Sequence, residues 1–122
     1  MNAQDIISEF KEIDNKQKYQ KLIDYGKKLD ILSEDEKREE FLIRSCQSKT
    51  WLVPVINDNL SFKAYSESFI VRGVLFIIIN IFNSNKINEF EDLGIYDILS
   101  DNRILGIKEI LDKIKYYMKE NK

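Results

Sequence analysis

The chain contains no histidine. That absence removes the commonest general base and the commonest metal ligand. Cysteine occurs once, at Cys46. A single thiol cannot close an internal disulfide, which fits a reducing compartment, and it cannot supply the several ligands of a structural zinc site. Together the two shortages exclude reaction classes. Lack of His argues against a Cys–His protease or acyltransferase, and lack of a second Cys excludes a self-contained dithiol oxidoreductase. Neither sign of charge dominates: 19 basic against 21 acidic residues give a net charge of −2. General nucleic-acid binding needs a basic field to neutralise phosphates, so no nucleic-acid partner is expected. A long apolar run is missing too. The most apolar stretch, Phe69 to Phe82, is interrupted by Arg72 and Asn80 and falls short of the roughly 20 apolar residues of a bilayer span. It is expected as a buried helix, with no membrane partner. Met1-Asn2-Ala3-Gln4-Asp5 carries an acid where a secretory signal carries bases, so a cytoplasmic protein is expected.

What is present suffices for one domain over residues 1–122, with 43% hydrophobic and 33% charged residues. Helical spacing places a first helix over Asp5 to Ile13, with Ile6, Phe10 and Ile13 on one face, and a second capped by Asn15 with Tyr19, Leu22, Ile23, Gly26 and Leu29 recurring. The charged stretch Ser33 to Glu40 reads as a solvated turn or short helix. Three short strands follow: Phe41 to Ser45, Trp51 to Ile56 and Leu60 to Tyr65. Asn57-Asp58-Asn59 turns the last two into a hairpin. Leu60, Phe62 and Ala64 alternate with Ser61, Lys63 and Tyr65, giving one buried and one wet face. Pro54 has no N–H and belongs at an edge or bulge. Ser68 caps the apolar helix that runs to about Asn83. Gly73 inside it costs roughly 1 kcal/mol relative to Ala, which a close backbone approach would explain. Ile87 to Leu99 reads as one or two short helices broken near Gly94. After Ser100 the stripe Ile104, Ile107, Leu111, Ile114, Met118 predicts a long amphipathic helix with a basic end. The expected class is α+β, a short three-stranded antiparallel sheet packed against helices.

Cys46 sits in Arg44-Ser45-Cys46-Gln47-Ser48-Lys49-Thr50-Trp51, a polar break between two apolar runs. Thiolate is the working form of cysteine, and Arg44, Lys49 and Arg103 are the cations that could favour it. Two readings stand side by side on these grounds. Cys46 is a small buried residue, as free cysteines often are, or it is a thiol that receives a group and hands it on, with the harder chemistry supplied by a partner.

Three segments each match a motif of a single protein family. Ser45-Cys46-Gln47-Ser48-Lys49-Thr50-Trp51-Leu52 is similar to the family's Gly-Cys-Gln-Ser-x-x-Trp. Tyr65-Ser66-Glu67-Ser68-Phe69-Ile70-Val71-Arg72-Gly73-Val74 is similar to its Asp-Ser-Asp, apolar stretch and Val-Lys-Gly-Leu. Leu99-Ser100-Asp101-Asn102-Arg103-Ile104-Leu105-Gly106-Ile107 is similar to its Leu-Ser/Thr-Pro-Ser-Arg-x-x-Gly-Leu. Order and separations agree, and over roughly Ser8 to Ile114 the chain resembles the SufE/CsdE-type cysteine desulfuration (sulfur acceptor) proteins. Departures are Ser45 for the usual Gly, which would be strained if that position needs positive φ, Tyr65 for an Asp, and Asp101 for a Pro.

The resemblance implies a SufE/NifU-like fold and a sulfur acceptor that activates a PLP-dependent cysteine desulfurase. Cys46 would carry the sulfur as a persulfide and pass it to an iron–sulfur cluster assembly scaffold. Arg103, Gln47, Ser48 and Ser45 would support the cysteine loop, and Arg44 and Lys49 would meet acidic groups of the partner. Implied partners are a desulfurase of SufS/CsdA type and a scaffold complex of SufBCD type. No cofactor is expected in this chain, PLP belonging to the desulfurase, and no metal; a monomer or weak homodimer is expected. Trp51 is assigned to packing, and Ser66 and Ser68 to turn formation and helix capping. The alternative function is a non-catalytic desulfurase-binding module. A cluster scaffold would need several metal ligands, against which one Cys and no His argue.

Overall fold

The computed structural model describes residues 2–121. The chain opens with helix α1 (Ala3–Glu12), begun by a reciprocal cap in which Asn2 and Asp5 satisfy each other's backbone N–H groups. It buries Ala3, Ile6, Ile7 and Phe10; Ile13 is already extended. Helix α2 (Asn15–Gly26) is capped by Asp14, not Asn15 as expected. The reason lies three residues on. Gln17 can return a hydrogen bond to the Asp14 N–H (3.2 Å) while its own N–H donates to the Asp14 carboxylate (2.8 Å). Three residues after Asn15 stands Lys18, which has no acceptor to offer and instead donates to the Leu93 carbonyl at 3.0 Å.

Strands β1 (Thr50–Ile56) and β2 (Leu60–Ser66) form the expected hairpin, antiparallel from Thr50 opposite Ser66 to Ile56 opposite Leu60. Among the described residues the sheet has two strands, not three. Phe41 to Ser45 does not make a strand: a 3-10 turn spans Glu39–Phe41, and only Leu42 bridges Trp51. The segment is hemmed in by turns. The Leu42 N–H closes back on the Glu39 carbonyl at 3.1 Å, and the Cys46 N–H turns to the Ile43 carbonyl at 3.3 Å. Two extended residues between such turns cannot continue a ladder. Ile43 N–H reaches the Thr50 carbonyl at 2.8 Å, so the backbone groups of Thr50, and by alternation those of Pro54, face away from β2. Pro54 therefore lacks its N–H on the open side of β1, as expected of an edge residue.

Leu52, Phe62 and Ala64 point into the main core. The opposite sheet face is less wet than the alternation predicts: Leu32 covers Trp51 and Val53 there, with Phe41, Leu42 and Tyr65 around them, while Lys63 stays exposed. Helix α3 (Phe69–Asn83) starts at the Ser68 cap and lies buried at Ile70, Val71, Val74, Leu75, Ile77, Ile78 and Ile81. A Cβ on Gly73 would overlap the Leu22 carbonyl of α2; the close backbone approach is real. Two 3-10 segments, Ile87–Leu93 and Ile95–Ile98, join at Gly94 with φ of 72°. Helix α4 (Asp101–Glu120), capped by Ser100, buries Ile107, Ile110, Leu111 and Ile114. Its stripe turns outward at both ends: Ile104 is half-buried and Met118 exposed. No helix among the described residues is long and apolar enough to cross a membrane.

Candidate functional site

Cys46 occupies the turn that leads into β1, and it is half-buried. The far side of this turn is tied to the start of α3. Thr50 Oγ1 donates to the Ser48 carbonyl at 3.0 Å and shares a 2.7 Å hydrogen bond with Ser66 Oγ, both side chains being fully buried. Ser66 Oγ also accepts from the Ser68 N–H at 3.1 Å, and the Glu67 N–H donates to the Lys49 carbonyl at 2.9 Å. Buried hydroxyls need partners, and here they join the cysteine turn, β2 and α3 into one unit. Ser66 and Ser68 thus serve the turn and the cap, as expected.

The near side of the turn rests on α4. A Cβ on Gly106 would overlap Cys46 Sγ, so only glycine lets the sulfur lie against this helix. One turn on, Glu109 accepts the Arg44 N–H at 3.1 Å and the Ser45 N–H at 2.7 Å. Desolvation pushes the Glu109 carboxyl up, but the Ser45 hydroxyl, these two amides and Lys113 at 3.8 Å together hold it below its ordinary value.

A pocket of about 60 Å³ opens at the sulfur, lined by Cys46, Gln47, Ser48, Ser68, Val71, Asn102 and Arg103. Four of the expected site residues, Cys46, Gln47, Ser48 and Arg103, therefore meet. Ser45 is exposed beside it, bound to Glu109. No described residue except Asn85 and Gly94 has positive φ, so Ser45 stands in place of glycine without strain. Arg44 and Lys49 do not line the pocket. The Arg44 guanidinium lies 3.6 Å from Glu39 with both side chains well exposed, and Lys49 is exposed. Arg103 is half-buried, and among the described residues it forms no salt bridge. Arg103 and the first turns of α3 and α4, each the positive end of its helix, border the pocket.

The resting thiol is nevertheless not activated. Burial pushes Cys46 above its ordinary value, the Thr50 hydroxyl pulls it partly back, and the Glu109 charge raises it further. The expectation that Arg44, Lys49 or Arg103 favours the thiolate is not met at rest: the one group that pulls it down is the Thr50 hydroxyl, and desolvation dominates.

Exposed apolar side chains stand next to pocket residues in the sequence. Phe69, 63% exposed, follows Ser68, and Leu105, 58% exposed, follows Arg103 by two residues. The Arg72 guanidinium stacks between Phe69 (4.7 Å) and Tyr65 (4.5 Å), and its Nε donates to the Ser66 carbonyl at 2.6 Å. Lys37 lies 5.3 Å from the Tyr65 ring and 5.5 Å from that of Trp51. Trp51 itself is 7% exposed and packs in the small cluster over the sheet, as assigned. Sequence reasoning missed Glu109. It lies three residues after Gly106 on the same helix face, but its partners are distant in sequence. Among the described residues no group of three or more His, Cys, Asp or Glu side chains is placed to hold a metal ion.

The family model described as "SufE: Fe-S metabolism associated domain" matches residues 4–118. A SufE-like protein of Rhizobium meliloti is 28% identical, over 90% of this chain and 89% of its own. The cysteine desulfuration protein SufE of Wigglesworthia glossinidia brevipalpis is 28% identical, over 89% and 84%. The sulfur acceptor protein CsdE of Escherichia coli is 29% identical, over 80% and 74%.

Proposed function

We propose, from the premise that this chain belongs to the SufE family, that it accepts sulfur on Cys46 from a PLP-dependent cysteine desulfurase and passes it to an iron–sulfur cluster assembly scaffold. One observation carries the reading. Three segments far apart in sequence, around Cys46, Ser68 and Arg103, line a single pocket at the only thiol of the chain.

The chemistry needs only what this pocket holds. A Cys46 thiolate attacks the outer sulfur of a persulfide on the desulfurase cysteine. A new S–S bond forms on Cys46, the S–S bond on the donor breaks, and the donor cysteine leaves as a thiolate. Charge and sulfur both balance, as in thiol–disulfide exchange. No general base in this chain enters the step, consistent with the absence of His. PLP chemistry stays with the desulfurase, and the product persulfide, which can then release its proton to solvent, lies in the pocket bordered by Arg103 and the two helix ends. Because burial holds the resting thiol protonated, acceptance requires the turn to leave the pocket wall or a donor to reach into it. Arg44 and Lys49 sit outside the pocket, where they can meet acidic groups of a docked partner, and Phe69 and Leu105 offer apolar contact. The protein acts in the cytoplasm, as a monomer or weak homodimer.

A second reading is motivated by the raised pKa of Cys46: a docking module that alters the desulfurase without taking sulfur. Desulfurase turnover separates the two. Alanine release from cysteine is measured with the wild-type chain and with Cys46→Ser. Stimulation by the wild type that is lost in the variant supports sulfur acceptance; stimulation that survives supports the docking module.

A further inference from the structure

We infer that Glu109 is the positioning residue that holds the Cys46 turn retracted against α4. The inference rests on the proposed role of Cys46 as the sulfur-bearing atom. Its structural basis is independent of that role.

The turn before Cys46 has two backbone N–H groups, those of Arg44 and Ser45, that no strand ladder satisfies, because the expected third strand is reduced to one bridge. Both donate to the Glu109 carboxylate, one to each oxygen. Charge-assisted bonds to paired amides are the strong class of hydrogen bond. The carboxylate comes from a rigid twenty-residue helix, whereas the amides belong to an exposed turn, so the helix fixes the turn. Gly106, three residues before Glu109 on the same face, supplies the flat surface on which the sulfur then lies. Glycine at position 45 would keep the N–H contact. Lys113, 3.8 Å away on α4, holds the carboxylate from the other side, and Arg44 turns its guanidinium to Glu39 and leaves Glu109 to the amides.

The lone thiol makes the test clean. The alkylation rate of Cys46 by iodoacetamide is measured against pH on the full chain, without any desulfurase. The high-pH plateau reports how often the sulfur is accessible, and the midpoint reports its acidity. Loss of bonds to a charged acceptor should raise the plateau about tenfold or more in Glu109→Ala. Glu109→Asp keeps the charge but falls one methylene short of the amides, so its plateau should rise while its midpoint stays near that of wild type. A folded Glu109→Ala chain with the wild-type plateau overturns the inference. If that variant does not fold, Glu109→Asp decides by the same criterion. Failure here leaves sulfur acceptance untouched, and failure of sulfur acceptance with the expected plateaus leaves the latch standing.

Discussion

The sulfur of Cys46 lies against Gly106, where the side chain of any other residue would begin. Gly106→Ala should therefore expel the thiol from its resting place. The expected outcome is faster alkylation of Cys46, with a stability cost of about 1–3 kcal/mol typical of overpacking, read from denaturant unfolding. Unchanged alkylation would mean that the turn does not rest on this helix in solution.

The acidity of Cys46 gives a second expectation. Burial favours the neutral thiol, so its titration should fall above the ordinary cysteine value of about 8.5. The sign for stability follows. As pH rises from about 8.5, the unfolded chain loses the thiol proton while the folded chain keeps it, so stability falls in that window. Ultraviolet absorbance of the thiolate against pH, in native and unfolded protein, checks both statements.

How much of this was readable in the sequence differs from residue to residue. Ser68 and Ser100 declare their helices through a cap followed by an apolar run, and the Asn57-Asp58-Asn59 turn declares the hairpin, because these signals are local. The Asp14 cap was hidden by the adjacent Asn15 until the reciprocal bond from Gln17 was considered. The third strand was misread because Phe41 to Ile43 is apolar enough for a strand, yet its length is decided by turns at either end. Glu109 left no local trace: its partners are 64 and 65 residues away, and a carboxylate on a helix face is ordinarily a solvated one.

The Thr50–Ser66 pair supports the site from below. Thr50→Val keeps the shape but removes a hydroxyl that contacts Ser66 and Ser48. A loss of about 1–3 kcal/mol is expected, since buried hydroxyl partners are left short. The same variant should titrate Cys46 still higher, because the Thr50 hydroxyl is the one group that lowers it. Chemical denaturation and thiol titration test the two effects separately.

Arg103 stands in the first turn of α4, where a cation opposes the helix dipole. Its retention there is not explained by stability. Arg103→Ala should unfold within about 0.5 kcal/mol of wild type yet accept sulfur more slowly, because the pocket loses its guanidinium. A marked loss of stability, with sulfur acceptance unchanged, would assign Arg103 to the fold instead.

The central claim is that Cys46 carries sulfur, and intact-protein mass spectrometry tests it most directly. The chain is incubated with a cysteine desulfurase shown to bind it, with PLP and cysteine. The account predicts a gain of about one sulfur atom, removed by a thiol reductant and absent in Cys46→Ala. A bound, active desulfurase that leaves the mass of the wild-type chain unchanged would contradict it.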